Sequence, residues 1–145
     1  MEEHAPVRII RMKPGDEAMV QRAEPLFDDP VNLASTRAFL ADERHHLLIA
    51  YADQDEPAGF VSAVEIFHPD EPRPEMFLNE LGVEPAFQRR GIATALIKEL
   101  LQLCEFRGCS VMWLGTEETN TAALRTYEAT GGNREDFVLF TYKIH

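Results

Sequence analysis

The chain has 145 residues, the size of one ordinary domain, and its 45% hydrophobic content is enough for a real core, which excludes a disordered chain. No apolar run is long enough to span a bilayer, and the net charge of −11 argues against nucleic acid as a partner, because phosphate binding needs a basic surface. The same charge reads first as solubility, and alternatively as a field that draws in a cationic substrate.

The opening Met1-Glu2-Glu3-His4 is acidic and polar, unlike a secretory signal. Residues 7–12 read as a strand, with Val7, Ile9 and Ile10 apolar, and Asp16 can cap a helix running toward Phe27. A second short helix is expected over 32–41, then strands over 47–52 and 58–67 joined by the Asp53-Gln54-Asp55-Glu56-Pro57 turn. Three prolines make 68–74 a loop, and 75–83 is the next strand. Residues 91–107 form the clearest helix, because Ile92, Leu96, Ile97, Leu100, Leu101 and Cys104 recur at three- and four-residue spacing. A strand over 110–114 follows, with Trp113 expected in the core. Next comes a helix over 120–130, capped by Asn120 and stopped by Gly131-Gly132, and a last strand over 137–144. Strands without a helix between them pair antiparallel, and strands flanking a helix tend to be parallel. The expected fold is therefore α/β (α+β), a single domain over 1–145: a mixed, mostly antiparallel central sheet with helices on both faces, in the order β-α-α-β-β-β-α-β-α-β.

Between the strand 75–83 and the long helix lies Gln88-Arg89-Arg90-Gly91-Ile92-Ala93-Thr94. Unpaired N–H groups and the positive end of a helix dipole point the same way at such a turn, so it is a ready anion site. Gly91 lets a phosphate approach the backbone, and Arg89 and Arg90 can add charge-assisted bonds. The anion suggested is a pyrophosphate. His45, His46 and His68 have no triad or metal spacing, so surface or packing roles are expected for them and no metal site is expected in the chain. Cys104 and Cys109 build neither a disulfide framework nor a zinc quartet, which points to reduced thiols and a cytoplasmic protein.

The element order, with Gln88, Gly91 and Ala93 in the spacing Arg/Gln-x-x-Gly-x-Gly/Ala, resembles the GNAT superfamily of N-acetyltransferases. A second block, Asn120 to Gly131, is similar to that family's Asn-x-x-Ala-x-x-x-Tyr-x-x-x-Gly, and the two together cover about half the chain. From roughly Phe39 onward, the segments around Glu71 to Glu75, Gly91 to Ile97 and Arg134-Glu135-Asp136 look like the type I aminoglycoside 3-N-acetyltransferases. Gly132 departs from the superfamily, many members of which carry Phe there, and the tail leaves room for one strand only.

The resemblance implies acetyl coenzyme A as cosubstrate, with its pyrophosphate on the N–H groups of Arg89 to Thr94. Its pantetheine arm would lie along the free backbone of Leu81, Gly82 and Val83. The alternation of residues 76–81 breaks at Gly82, which permits a bulge that would free those groups; a plain packing glycine is the other reading. Glu80 aligns with the acidic residue of the type I family and becomes the candidate base or ammonium binder, with a sheet-face or salt-bridge role as the alternative. Tyr127 matches the superfamily tyrosine near the sulfur, a potential general acid, although helix tyrosines are often core. The Leu81 N–H can polarise the acetyl carbonyl, and Asn120 binds the pantetheine arm, caps its helix, or does both. Asp28, Asp29, Glu117, Glu118, Glu135 and Asp136 are candidate contacts to a cationic small-molecule amine, or merely solvated loop charge. The implied reaction is direct acetylation of an aminoglycoside, at position 3 by preference; the alternatives are a polyamine, amino acid or peptide N-terminus, and a non-catalytic acyl coenzyme A-binding module. The superfamily often forms homodimers, but no exposed apolar stripe marks an interface here.

Overall fold

The computed structural model describes residues 7–145, and Met1-Glu2-Glu3-His4 lies outside them. The chain divides into two compact units, Met1–Gly115 and Thr116–His145. The first runs β1 (Arg8–Arg11), α1 (Glu17–Arg22), α2 (Leu33–Ala41), β2 (His45–Ala52), β3 (Glu56–Ile66), β4 (Glu75–Val83), α3 (Ile92–Arg107) and β5 (Met112–Trp113). The sheet keeps chain order: β1 to β4 pair antiparallel, and β5 joins β4 in parallel after α3 has crossed over. This is the mixed, mostly antiparallel sheet expected from the sequence.

Alternation along β2 and β3 sends neighbouring side chains to opposite faces, and each face has its own helices. On one face Leu47, Ile49, Tyr51 and Phe60 form a core with Val20 of α1 and Leu40 of α2. On the other lies α3, whose Ile92, Leu96, Ile97 and Leu100 are buried. The contact with α3 is close at Gly59, where a Cβ would stand 3.0 Å from Ile92 Cγ2 and 2.9 Å from the Gly82 carbonyl oxygen. No helix among the described residues is long and apolar enough to cross a membrane.

Several local expectations are corrected. Helix α1 stops at Arg22, and a 3-10 turn, Glu24–Leu26, takes the chain onward to Phe27. Pro25 cannot donate a helical hydrogen bond, so the longer helix is cut there. Asp16 sits at the N-cap of α1, but its carboxylate accepts the Lys13 N–H at 2.9 Å and caps nothing in the helix. Strand β5 is only two residues long, and Trp113 is not core: it is 45% exposed, with its ring 4.5 Å from that of Phe77.

The second unit holds α4 (Thr121–Ala129). Asn120 accepts the Ala123 N–H at 3.2 Å, the N-cap bond expected of it. Gly131, at φ +100°, ends the helix, and the Gly132 N–H closes back on the Tyr127 carbonyl at 2.9 Å. The strand expected over 137–144 is absent. Within this unit its apolar residues, among them Phe137, Leu139 and Tyr142, are exposed.

Candidate functional site

Strand β4 changes character halfway along. Its first half is a full member of the sheet, with Met76 and Leu78 buried on the α3 face and Met76 and Phe77 paired to β5. The register against β3 then slips: Ala63 faces Leu78, while Ser62 faces Glu80, so Asn79 is the extra residue of a bulge. A one-residue slip exchanges the faces of everything beyond it. Without the slip, Glu80 would follow Met76 and Leu78 into the α3 core. With it, Glu80 lies on the opposite face beside Ser62, exposed and without a hydrogen bond or ion pair among the described residues.

The bulge expected at Gly82 is thus at Asn79, and Gly82 serves packing. It pairs with Phe60, and a Cβ there would meet the Phe60 ring at 2.9 Å. The Phe27 ring lies 4.7 Å from the same Phe60. This brings the loop that carries Asp28 and Asp29 to the end of β4 where Glu80 sits. The loop is pinned from behind by the Glu24 carboxylate, which accepts the Val31 N–H at 3.0 Å. Both aspartates are exposed and unpaired among the described residues.

The backbone of the second half of β4 is open along one edge. The Glu84 N–H donates to the Ala58 carbonyl at 2.8 Å, so by alternation Gly82 points at β3 while Leu81 and Val83 point away from it. On that side β5 pairs only with Met76 and Phe77, and no strand reaches Leu81 or Val83 among the described residues. The splay expected of this strand is therefore present, although Gly82 is not its cause. The Gln88 side chain takes one of the open groups, donating to the Val83 carbonyl at 3.4 Å.

Next come a 3-10 turn, Pro85–Phe87, and the anion-type turn. Arg89 adopts φ +66° and Gly91 φ +77°, both left-handed, and Gly91 is the N-cap of α3. No side chain caps the helix, so the first N–H groups of α3, from Ile92 through Thr94, are left for an external acceptor. A Cβ at Gly91 would meet nothing within 4 Å, so the glycine is there for its backbone angle and leaves open space above it.

The two arginines differ. Arg89 is exposed and has no side-chain partner among the described residues. Arg90 is held: its guanidinium contacts the Asp53 carboxylate at 2.9 Å and lies 5.1 Å from the Phe87 ring centre. Arg89 is thus open to an external partner, whereas Arg90 already has partners within the fold.

At the far end of α3 a buried polar cluster closes the sheet. His46 and Glu65 are almost fully buried and 2.6 Å apart, and the Arg107 Nε donates to the same Glu65 oxygen at 2.9 Å. The Arg11 guanidinium donates to His46 Nδ1 at 3.0 Å, which fixes Nε2 as the protonated nitrogen facing Glu65. Burial lowers the His46 pKa, so the ring is neutral. Burial pushes the nearby Cys104 thiol up to about 12, so it is no nucleophile at neutral pH. This cluster was not foreseen as a unit; its members carry no common motif. His68 is exposed enough to meet solvent and pairs with Glu75. No cluster of histidine, cysteine and acidic residues fit for a metal ion occurs among the described residues.

In the second unit, burial raises the Tyr127 phenol above its ordinary range, so it keeps its proton at neutral pH. Of the acidic residues there, Glu118 lies 3.0 Å and Asp136 3.6 Å from Arg134, so both are ion-paired within their own unit rather than free for a cation. Glu117 and Glu135 are exposed and unpaired among the described residues.

By sequence the chain is 32% identical over 89 residues to a [Ribosomal protein bS18]-alanine N-acetyltransferase of Haemophilus ducreyi, covering 61% of this chain and 57% of that one. It is 39% identical over 59 residues to the Salmonella typhimurium protein of the same name, covering 41% and 40%. The chain thus spans about half the length of these relatives. Among solved structures, an aminoglycoside acetyltransferase from an uncultured soil metagenomic sample, in complex with sisomicin, superposes with a TM-score of 0.88 at 18% identity, covering 96% of this chain and 97% of that one. A ribosomal-protein-alanine N-acetyltransferase from Brucella melitensis superposes at 0.76 and 19% identity, covering 96% and 100%. These sequence relatives are named for ribosomal-protein alanine, so they do not carry the narrower likeness to the type I aminoglycoside 3-N-acetyltransferases. The pattern of the Acetyltransferase (GNAT) family matches residues 16–131, most of the sequence, and the chain belongs to that family.

Proposed function

We propose that the protein is an acetyl-coenzyme A-dependent N-acetyltransferase that acts by direct attack of an amine, with the α-amine of a peptide N-terminus as its acceptor class. The bulge at Asn79 carries this reading. It turns the unpaired Glu80 out of the core where β4 parts from β5 and exposes Leu81 and Val83.

Acetyl coenzyme A supplies the activated acetyl thioester. The first N–H groups of α3, with Arg89, fit its pyrophosphate, and the open groups of Leu81 and Val83 fit the amides of its pantetheine arm. The Leu81 N–H donates to the acetyl carbonyl oxygen as charge develops there. An aliphatic ammonium must lose a proton before it attacks, and Glu80 takes that proton, directly or through water. Tyr127 keeps its proton at neutral pH and donates it to the departing thiolate, and the second proton shed by the acylated nitrogen restores the phenol; this role rests on the Asn120/Tyr127 spacing. Cys104 and Cys109 stay free thiols, in keeping with a reducing, cytoplasmic setting.

The choice of acceptor follows the sequence relatives, and Asp28 and Asp29 supply negative charge beside the ammonium. An aminoglycoside is the other acceptor, favoured by the same charge and by the net −11 of the chain. Incubating the protein with acetyl coenzyme A, a panel of peptides beginning with alanine, serine or glycine, and 2-deoxystreptamine aminoglycosides, then identifying products by mass, separates the two. Acetylated peptide α-amine is expected. Aminoglycoside turnover without peptide turnover would overturn the acceptor, and coenzyme binding without any transfer would overturn the enzyme.

A further inference from the structure

The turn that opens α3 is strained and yet unsupported by its own sequence. Arg89 is held at φ +66°, an angle that side chains with a Cβ adopt at a cost, and Gly91 follows at φ +77°. Such a backbone persists only when its surroundings fix it. Between these residues stands Arg90, with its side chain only 25% exposed, lying over buried Phe87 and bonded to Asp53.

Asp53 opens the tip of the β2–β3 hairpin, where Gln54 and Asp55 are both left-handed at φ 57° and 61° and neither is glycine. This second strained turn is gripped from two sides. Asp53 holds Arg90 at 2.9 Å, and Asp55 holds Arg8 of β1 at 2.8 Å. Two turns that are 37 residues apart in sequence are thus joined by one ion pair.

We infer that Arg90 is a positioning residue for the pyrophosphate turn and not a phosphate ligand: Asp53 and Phe87 hold its guanidinium, and so set the angle at which Arg89 and the N–H groups of Ile92 to Thr94 meet the anion. The inference rests on the reading of that turn as the coenzyme A site. It makes the tip of a hairpin a determinant of coenzyme affinity.

The two roles predict effects of opposite sign. If Arg90 positions the turn, Asp53→Asn loosens it and weakens coenzyme A binding, by about two- to fivefold for a pair of this exposure. If Arg90 were a ligand that Asp53 restrains, the same change would release it and tighten binding. Asp55→Asn removes an equal charge from the same hairpin without touching Arg90, and so controls for the general field.

The experiment titrates wild type, Asp53→Asn, Asp55→Asn, Arg90→Asp and the exchanged pair Asp53→Arg/Arg90→Asp with coenzyme A, and records melting temperature and the KM-against-kcat split for acetyl coenzyme A. Expected are a raised Kd and KM in Asp53→Asn with unchanged kcat, Asp55→Asn close to wild type, and recovery in the exchanged pair relative to Arg90→Asp alone. Binding in Asp53→Asn that equals or exceeds that of Asp55→Asn would overturn the inference. A loss of kcat in step with melting temperature would also overturn it, because that marks general destabilisation. Wild type that binds no coenzyme A would instead overturn the reading of the turn itself.

Discussion

At its C-terminal end α3 meets a saturated set of polar groups: Arg107 donates to Glu65, Glu65 faces His46, and His46 accepts from Arg11. At its N-terminal end the same helix has no side-chain cap, an open left-handed glycine and an unpaired Arg89. Buried polar groups left unsatisfied are costly, so a protein completes them where the fold alone must supply the partners. It leaves them open where a ligand is to supply the partners. Strand β4 shows the same division, closed by β5 at Met76 and Phe77 and open at Leu81 and Val83. One end of the α3–sheet layer is thus read as structure and the other as binding. Changes at the two ends should separate stability from activity.

The largest effect is expected at the open end. Glu80→Gln keeps the shape and removes the proposed base, so kcat should fall by about 10²–10⁴. Because Glu80 is exposed and unpaired, the melting temperature and the affinity for coenzyme A should hardly move. Steady-state kinetics beside a coenzyme titration check this. A kcat within threefold of wild type would leave Glu80 as an ammonium binder at most.

At the closed end the pattern should invert. Glu65→Ala leaves the buried, neutral His46 and the part-exposed Arg107 without their shared acceptor, and a buried donor left unsatisfied costs about 1–3 kcal/mol. Denaturant unfolding should show that loss, while the protein that remains folded binds coenzyme A and turns over as wild type does. A coenzyme defect in folded Glu65→Ala would mean that the two ends are coupled.

Gly91→Val tests the open end without touching the chemistry. It forces a β-branched side chain into φ +77°, at about 1–2 kcal/mol, and places that side chain in the space above the first N–H groups of α3. Coenzyme affinity should fall by more than the loss of stability accounts for, by about tenfold, with kcat at saturation nearly unchanged. Calorimetric titration beside thermal melting reads both.

What could be read from the sequence follows from how far apart the interacting residues stand. The α3 pattern, its glycine start and the strand before it are local signals, and all appear where expected. The Asn120 cap is local too. The bulge is a mismatch of register between two strands, so neither strand's sequence marks it. Gly82, which looks like its site, is small because Phe60 lies against it. The Arg90–Asp53 pair spans 37 residues, and the bonds of Glu65 to His46 and Arg107 span 19 and 42, distances over which spacing carries no information.

The smallest effect is the pH response of the closed end, and it bears on why that end is built with histidine. Burial lowers the His46 pKa in the folded protein, and the Arg11 guanidinium already donates to Nδ1, the nitrogen that a second proton would need. Glu65 and Arg107 face the ring from β3 and α3, and Glu65 acts against the shift without reversing it. The unfolded chain therefore binds the His46 proton more readily than the folded one, with a pKa of about 6.5. The stabilisation from a neutral His46 is complete above that pH and is lost as pH falls below it, by at most about 1.4 kcal/mol per pH unit for one proton. Urea unfolding from pH 7.5 down to 5.0 should show this slope in wild type and a shallower one in His46→Gln, whose amide can still accept from Arg11 or donate to Glu65 but takes up no proton. Equal slopes would mean that other groups carry the acid response. Activity per folded molecule should not follow the His46 titration, because the open end of α3 has no histidine in it.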